Sequence, residues 1–174
     1  VPAACLGCIE LKRDGDERPP MIIESEIDIA APPTKVWRTL SEFGGYPRWH
    51  PHWEIDGVPI RGASVYIRIG SNPEKRLRVR ARVIGMAPGE EIAFQSGPFF
   101  ARSYEYFHLE RSARGTLLRH TNKITGLAAL QFKFKAEREK LIRIYSFRLD
   151  ALSKYVTTST PLRAVTRARP RTRI

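Results

Sequence analysis

The chain has 174 residues, 42% of them hydrophobic, and a formal net charge of +12 from 30 basic and 18 acidic side chains. That length supports one domain with a substantial core. No run of ~18 apolar residues is present to span a membrane as a helix, and the cationic excess favours acidic partners: nucleic acid, anionic lipid, an acidic carrier protein or an anionic ligand.

Residues 1–20, VPAACLGCIELKRDGDERPP, read as a flexible leader. Their apolar patch is short and no basic segment precedes it, which makes a poor signal peptide and a cytoplasmic protein the expectation. The two cysteines, Cys5 and Cys8, form a lone CxxC. No second pair completes a zinc site and no strand precedes them to make a redox motif. From Ile22 to Ile29 the sequence alternates, with Ile23, Ile27 and Ile29 on one side and Glu24, Glu26 and Asp28 on the other, as a half-buried strand does. Pro32-Pro33-Thr34 then opens a helix, since proline is tolerated in a first turn. Val36, Trp37, Leu40 and Phe43 recur at helical spacing, and Gly44-Gly45 is the expected stop. Tyr46–Trp49 reads as a second short helix or turn.

Turn signals then separate short strands at His52–Asp56, Ser64–Ile69, Arg76–Ile84, Glu91–Ser96, Arg102–Arg111 and Thr116–Thr125. With the first strand they make about seven, joined by hairpin-length links into an antiparallel meander. Leu127 to Thr157 contains neither Pro nor Gly, and Phe134, Leu141, Tyr145, Leu149, Leu152 and Val156 return at helical spacing, which predicts a long amphipathic helix. Residues 158–174 form a basic tail. The part after Pro161 holds five arginines and no acid, so the rest of the chain carries +7, the +12 less those five.

Strand, helix pair, six more strands and a long helix, with APPTKVW, YPRWHP, the hairpin EYFHLE…GTLLRHTNKITG and YSFRLDALSKY in that order, resemble the START-like helix-grip (SRPBCC) superfamily. The likeness is to its polyketide cyclase/dehydrase and lipid-transport branch. The resemblance covers roughly residues 22–156. It implies an α+β fold, a curved sheet of about seven antiparallel strands around a long C-terminal helix, with residues 21–157 as the ligand-binding domain and a hydrophobic cavity inside. Such a cavity would take a hydrophobic or aromatic small molecule, polyketide-, terpenoid- or lipid-like. The resemblance leans toward a cofactor-independent cyclase, dehydratase or isomerase of secondary metabolism, with a non-catalytic lipid or small-molecule carrier or sensor as the alternative.

Alternation across each strand shows which side chains see such a cavity. In RLRVRARV the arginines Arg76, Arg78, Arg80 and Arg82 share the outer face, and Leu77, Val79, Ala81 and Val83 the inner one. In the last strand Arg119 and Lys123 point out, so Leu118, His120 and Asn122 point in. If Phe107 and Leu109 face inward on the preceding strand, Glu105 does too. A four-residue loop at Arg111–Arg114 sets Glu105 opposite His120; a register shift of two sets it opposite Asn122. Opposed Cβ atoms are ~5 Å apart, so Glu105 can orient His120 and raise its pKa. His120 is then a candidate general acid/base, with Asn122 or Arg138 holding an oxyanion. The same pair also reads as a structural hydrogen bond satisfying a core histidine, and the opposite facing would instead put Tyr104, Tyr106 and His108 inside.

Trp49, His50 and Trp53 are placed at an aromatic rim of the cavity, and Phe94, Leu118, Phe107, Phe134, Arg138, Leu141 and Tyr145 on its wall. Arg138 also reads as a solvated helix arginine. His50 and His52 have no evident third ligand, so no metal is assigned, and no cofactor is expected. Hydrolase, kinase and dehydrogenase motifs are absent. Arg68, Arg78, Arg80, Arg82, Arg119 and Lys123 make a basic sheet face, which suits solubility, an acidic carrier protein or an anionic surface. No nucleic-acid-binding motif accompanies it.

Overall fold

The computed structural model describes residues 19–127, 129 and 135–158. The readings made for residues 1–18, for Phe134 and for the tail from residue 159 lie outside them. The chain runs through β1 (Met21–Ile29), α1 (Pro33–Ser41), a 3-10 turn (Phe43–Arg48), β2 (Trp53–Asp56) and β3 (Ser64–Ile69). It continues through a short 3-10 turn (Pro73–Lys75), β4 (Leu77–Ala87), β5 (Glu91–Ser96), β6 (Ser103–Arg111), β7 (Thr116–Ile124) and α2 (Lys135–Thr158). The strands form one seven-stranded sheet in the order β1-β7-β6-β5-β4-β3-β2, antiparallel at every pairing. This is the helix-grip architecture. Among the described residues, no helix is long and apolar enough to cross a membrane.

The first strand keeps its predicted phase: Ile23 and Ile29 are buried while Glu24 and Glu26 are exposed. Pro33 sits in the first turn of α1, where its missing N–H has no intrahelical partner. The glycine pair does not end α1. The helix stops one turn earlier, where the Glu42 N–H donates to Arg38 O, and Gly44 and Gly45 lie within the 3-10 turn. Tyr46 ties that turn back to α1 by donating its buried hydroxyl to Leu40 O at 2.9 Å.

Two glycines shape the sheet. The β4–β5 register slips between Val83 and Gly85, a bulge that bends the strand. A Cβ on Gly85 would come within 2.9 Å of Ala93 Cβ. Gly115 has a φ of +145°, and a Cβ there would lie 2.6–2.8 Å from backbone atoms of Ile29 and Ala31. The β6–β7 turn therefore packs against the end of β1, where Thr116 Oγ1 also donates to Ala31 O at 2.6 Å.

The core fills the space between the concave sheet face, α1, the 3-10 turn and α2. It includes Val36, Leu40, Phe43, Tyr46, Trp49, Trp53, Phe94, Phe107, Leu118, Leu149, Leu152 and Val156. Helix α2 is buried along Tyr145, Arg148, Leu149, Leu152 and Val156. Its first turn and a half, Lys135–Lys140, is exposed on every side.

The outer face is less uniformly cationic than its sequence suggests. Arg76 precedes β4 instead of joining its outer stripe. It is 12% exposed, ion-pairs with Glu54 and donates to Pro51 O at 2.7 Å. Arg68 faces Glu54 and Asp56, Arg119 faces Glu26 and Glu110, and Arg78 stacks 3.8 Å over Tyr66. Leu77, expected inside, is 65% exposed because it pairs with Ile69 beyond the covered part of the sheet.

Candidate functional site

The β6–β7 hairpin sets the site. Ser112 and Gly115 exchange backbone hydrogen bonds at 3.2 and 3.3 Å, so the turn proper is Ala113-Arg114 and not the four-residue loop. The register is consequently the alternative one: Glu105 lies opposite Asn122 and Phe107 opposite His120. Glu105 still reaches His120 along the diagonal, a distance long side chains span, and Oε1 accepts from Nε2 at 2.8 Å. His120 is fully buried, as the inward phase of β7 requires. Its ring lies 4.7 Å from Phe107 and 4.6 Å from Tyr145.

The sequence reading missed the third member. Arg148 of α2 is 6% exposed and donates NH1 to the same Glu105 oxygen. Its guanidinium lies 3.5 Å over the Trp53 ring and 5.3 Å from that of Tyr145. A signal was present: Arg148 stands three residues after Tyr145 and one before Leu149, on the helix's apolar stripe. The arginine singled out instead, Arg138, is exposed and cannot hold an oxyanion in the interior. It falls in the part of α2 that extends past the sheet.

Arg148 also changes the electrostatics. Burial pushes the Glu105 carboxyl up, but the Arg148 charge and the His120 hydrogen bond outweigh it and hold the group at about 2. Glu105 does raise the His120 pKa, but burial, joined by the Arg148 charge, outweighs it and leaves the imidazole below its ordinary value. An ionised carboxylate only accepts hydrogen bonds, so the neutral imidazole carries its proton on Nε2. Its Nδ1 is then a bare lone pair, buried and without a partner among the described residues. Ser25, opposite His120 on β1, likewise has a buried, unpartnered Oγ; its inward position between Ile23 and Ile27 was the available cue.

Asn122 is committed elsewhere. Its Nδ2 donates to Tyr145 Oη at 2.9 Å, and its Oδ1 accepts from Ser103 Oγ at 3.1 Å, so it positions the tyrosine. Burial raises the Tyr145 pKa and keeps the phenol protonated. Phe94, Phe107 and Leu118 are buried in the same core, and Leu141 is half-buried.

Trp49, His50 and Trp53 form a buried wall and not an exposed rim, at 6%, 6% and 1% exposure. Burial, followed by the Arg148 charge, lowers the His50 pKa to about 4. His52 is exposed, and no group of three metal-ligating side chains occurs among the described residues. The rings of Phe107 and Tyr145 pack against His120, and a pocket of about 420 Å³ lined by Glu24, Ser25, Glu26, Arg119, His120 and Thr121 adjoins it. A groove of about 440 Å³ runs outside this wall, between the 3-10 turn and α2, lined in part by Trp49 and Phe147.

Residues 21–157 match the family model described as polyketide cyclase / dehydrase and lipid transport. No curated protein matches the chain. Among solved structures, the chain is similar to SA2116 from Staphylococcus aureus, with 15% identity over 82% of this chain and 96% of that one and a TM-score of 0.67. It is similar to Ara h 8.0201, with 14% identity over 81% and 100% and a TM-score of 0.63. DynU16, a protein of the dynemicin biosynthetic locus, is 17% identical over 79% of this chain and 47% of that one, with a TM-score of 0.61. At these identities the likeness is one of fold.

Proposed function

Because the chain belongs to the polyketide cyclase / dehydrase and lipid transport family, we propose that it binds a hydrophobic or aromatic small molecule, polyketide-, terpenoid- or lipid-like, between the sheet and α2, where His120 exchanges a proton with it. The observation that carries this reading is the bare Nδ1 of His120. A fully buried imidazole is held by Glu105 in one tautomer, and its other nitrogen has no partner. Buried polar atoms are nearly always satisfied, so this one is left for a group that arrives. In the proposed step Nδ1 takes a proton from a carbon next to a ketone. The resulting imidazolium is stabilised by Glu105, and the proton returns to the oxygen or hydroxyl that is lost or rearranged. The Tyr145 hydroxyl, already accepting from Asn122, has its own hydrogen to offer the developing enolate. No cofactor is needed for this sequence.

A carrier that uses the same space without turnover is the second reading, favoured by the Arg148–Glu105 pair. That pair holds Glu105 ionised far below neutral pH and leaves it unsuited to proton transfer itself. Native mass spectrometry of the protein from its source would identify a retained ligand, and turnover of that ligand separates the readings. His120→Ala is expected to abolish turnover by two or more orders of magnitude while ligand affinity changes little. Wild-type protein that retains the ligand unchanged would leave only the carrier.

A further inference from the structure

Beside the Glu105 group lies a second set of buried nitrogens without hydrogen-bond partners among the described residues: Trp49 Nε1, Trp53 Nε1, Arg148 Nε and both ring nitrogens of His50. The side chains that carry them adjoin. The His50 ring centroid is 5.8 Å from that of Trp49 and 6.0 Å from that of Trp53, and the Arg148 guanidinium covers Trp53 at 3.5 Å. Glu105 engages NH1 of Arg148 and leaves Nε unused.

The hydrogen-bonding capacity of this set is lopsided. An indole N–H and a guanidinium Nε–H only donate. Burial and the neighbouring Arg148 charge keep the His50 ring neutral at physiological pH, so it supplies one donor and one acceptor. Four donors therefore stand against one acceptor. A water molecule, which donates as readily as it accepts, does not match that ratio; a carbonyl or carboxylate oxygen does.

An approach route adjoins the set. The groove of about 440 Å³ between the 3-10 turn and α2 is lined by Trp49, Phe147, Ala151 and Tyr155, with Arg48, Asp150 and Lys154 also contributing. Phe147 is 54% exposed, an uncommon position for a phenylalanine on a helix face, and its ring meets that of His50 edge-on at 5.9 Å. It therefore touches both the groove and the ring that carries two of the unpartnered nitrogens.

We propose that Trp49, His50, Trp53 and Arg148 Nε form an oxygen-acceptor subsite, which takes the carbonyl or carboxylate oxygen of a ligand whose flat apolar body lies in the groove beside Phe147. The inference rests on the small-molecule reading above and adds the ligand's class: an aromatic or apolar compound ending in an sp² oxygen.

The test uses the full chain labelled with ¹⁵N and three probes of one shape: 2-naphthoate, 2-acetonaphthone and 2-ethylnaphthalene. The protein has three tryptophans, so Trp37 serves as an internal reference. The indole N–H resonances of Trp49 and Trp53 should move with the two oxygenated probes while that of Trp37 stays. Both probes should bind about ten-fold or more tightly than 2-ethylnaphthalene. His50→Phe should shrink that preference without weakening 2-ethylnaphthalene, and Trp49→Phe, which also trims the groove wall, should weaken the two oxygenated probes more than 2-ethylnaphthalene. Tighter binding of naphthoate would name a carboxylate as the preferred group, and tighter binding of acetonaphthone a ketone; either supports the subsite. Equal affinity for all three probes, or unmoved Trp49 and Trp53 signals, would overturn the subsite and leave the small-molecule reading standing. If none of the three binds, both readings fall.

Discussion

Arg148 lies with its guanidinium 3.5 Å over the Trp53 ring while its NH1 is hydrogen-bonded to Glu105. One side chain from α2 therefore clamps the far edge of the sheet, through β2, to β6, the strand that carries Glu105. The stacked face of the guanidinium needs no water, and its edge donates to a carboxylate. This lets a charge sit in an aromatic core.

Removing that clamp leaves Glu105 buried with an uncompensated charge. Arg148→Met should lower stability by about 3 kcal/mol or more, read from the urea midpoint. It should also raise the Glu105 pKa toward the ordinary carboxylate range. Adding Glu105→Gln to the same chain should recover part of the loss. Arg138→Ala, on the exposed start of the same helix, should stay within about 0.5 kcal/mol of the parent. An equal effect of Arg138→Ala and Arg148→Met would refute the assignment of the clamp.

Acid should destabilise the fold in two stages. His50 takes up protons near 6.5 when unfolded but at about 4 when buried, so the unfolded chain binds more protons between those values and stability falls as pH drops through them. His120 shifts in the same direction. Glu105 protonates near 4.5 when unfolded and at about 2 in the native state, so a second loss follows between pH 4.5 and 2. Thermal midpoints from pH 8 to 3 should show both slopes. His50→Phe should flatten the first and leave the second.

Close packing of the hairpin turn against β1 predicts unequal costs for two glycines in the left-handed half of backbone space. Gly115→Ala drives a Cβ into the backbone of Ile29 and Ala31, and should cost about 2 kcal/mol or more. Gly89→Ala, with φ of +80° and nothing within 4 Å of the new atom, should cost about 1 kcal/mol. Guanidinium unfolding of the two variants gives the comparison, and a larger loss at Gly89 would contradict it.

Much of the sheet was legible because side chains alternate with a period of two. Ser64–Ile69 and Glu91–Ser96 begin and end as the turn residues indicate, and the inward set Leu118, His120 and Asn122 is the one that charge on the other face requires. The hairpin register was not legible, since Ser112–Gly115 closes with either turn length and a shift of two leaves every side chain on its own face. That is why His120 and Glu105 were paired correctly although the residues directly opposite them were not settled. The stop of α1 was misread because Gly44 and Gly45 resemble a helix end. The packing of Phe43 and Tyr46 instead draws the chain into a 3-10 turn that contains both glycines.

Sequence alone determined the order of elements and the wet and dry faces of the first and last strands, with His120 turned inward, because these follow from local periodicity. Tertiary structure alone decided which arginine joins Glu105 and His120. Arg148 stands on the apolar stripe of α2, but only the packing of that stripe on the sheet buries it while Arg138 on the same helix stays exposed. It also decided the state of the histidine. The His120 pKa is lowered chiefly by burial, with the Arg148 charge from α2 adding to it, and no spacing within β6 and β7 encodes either.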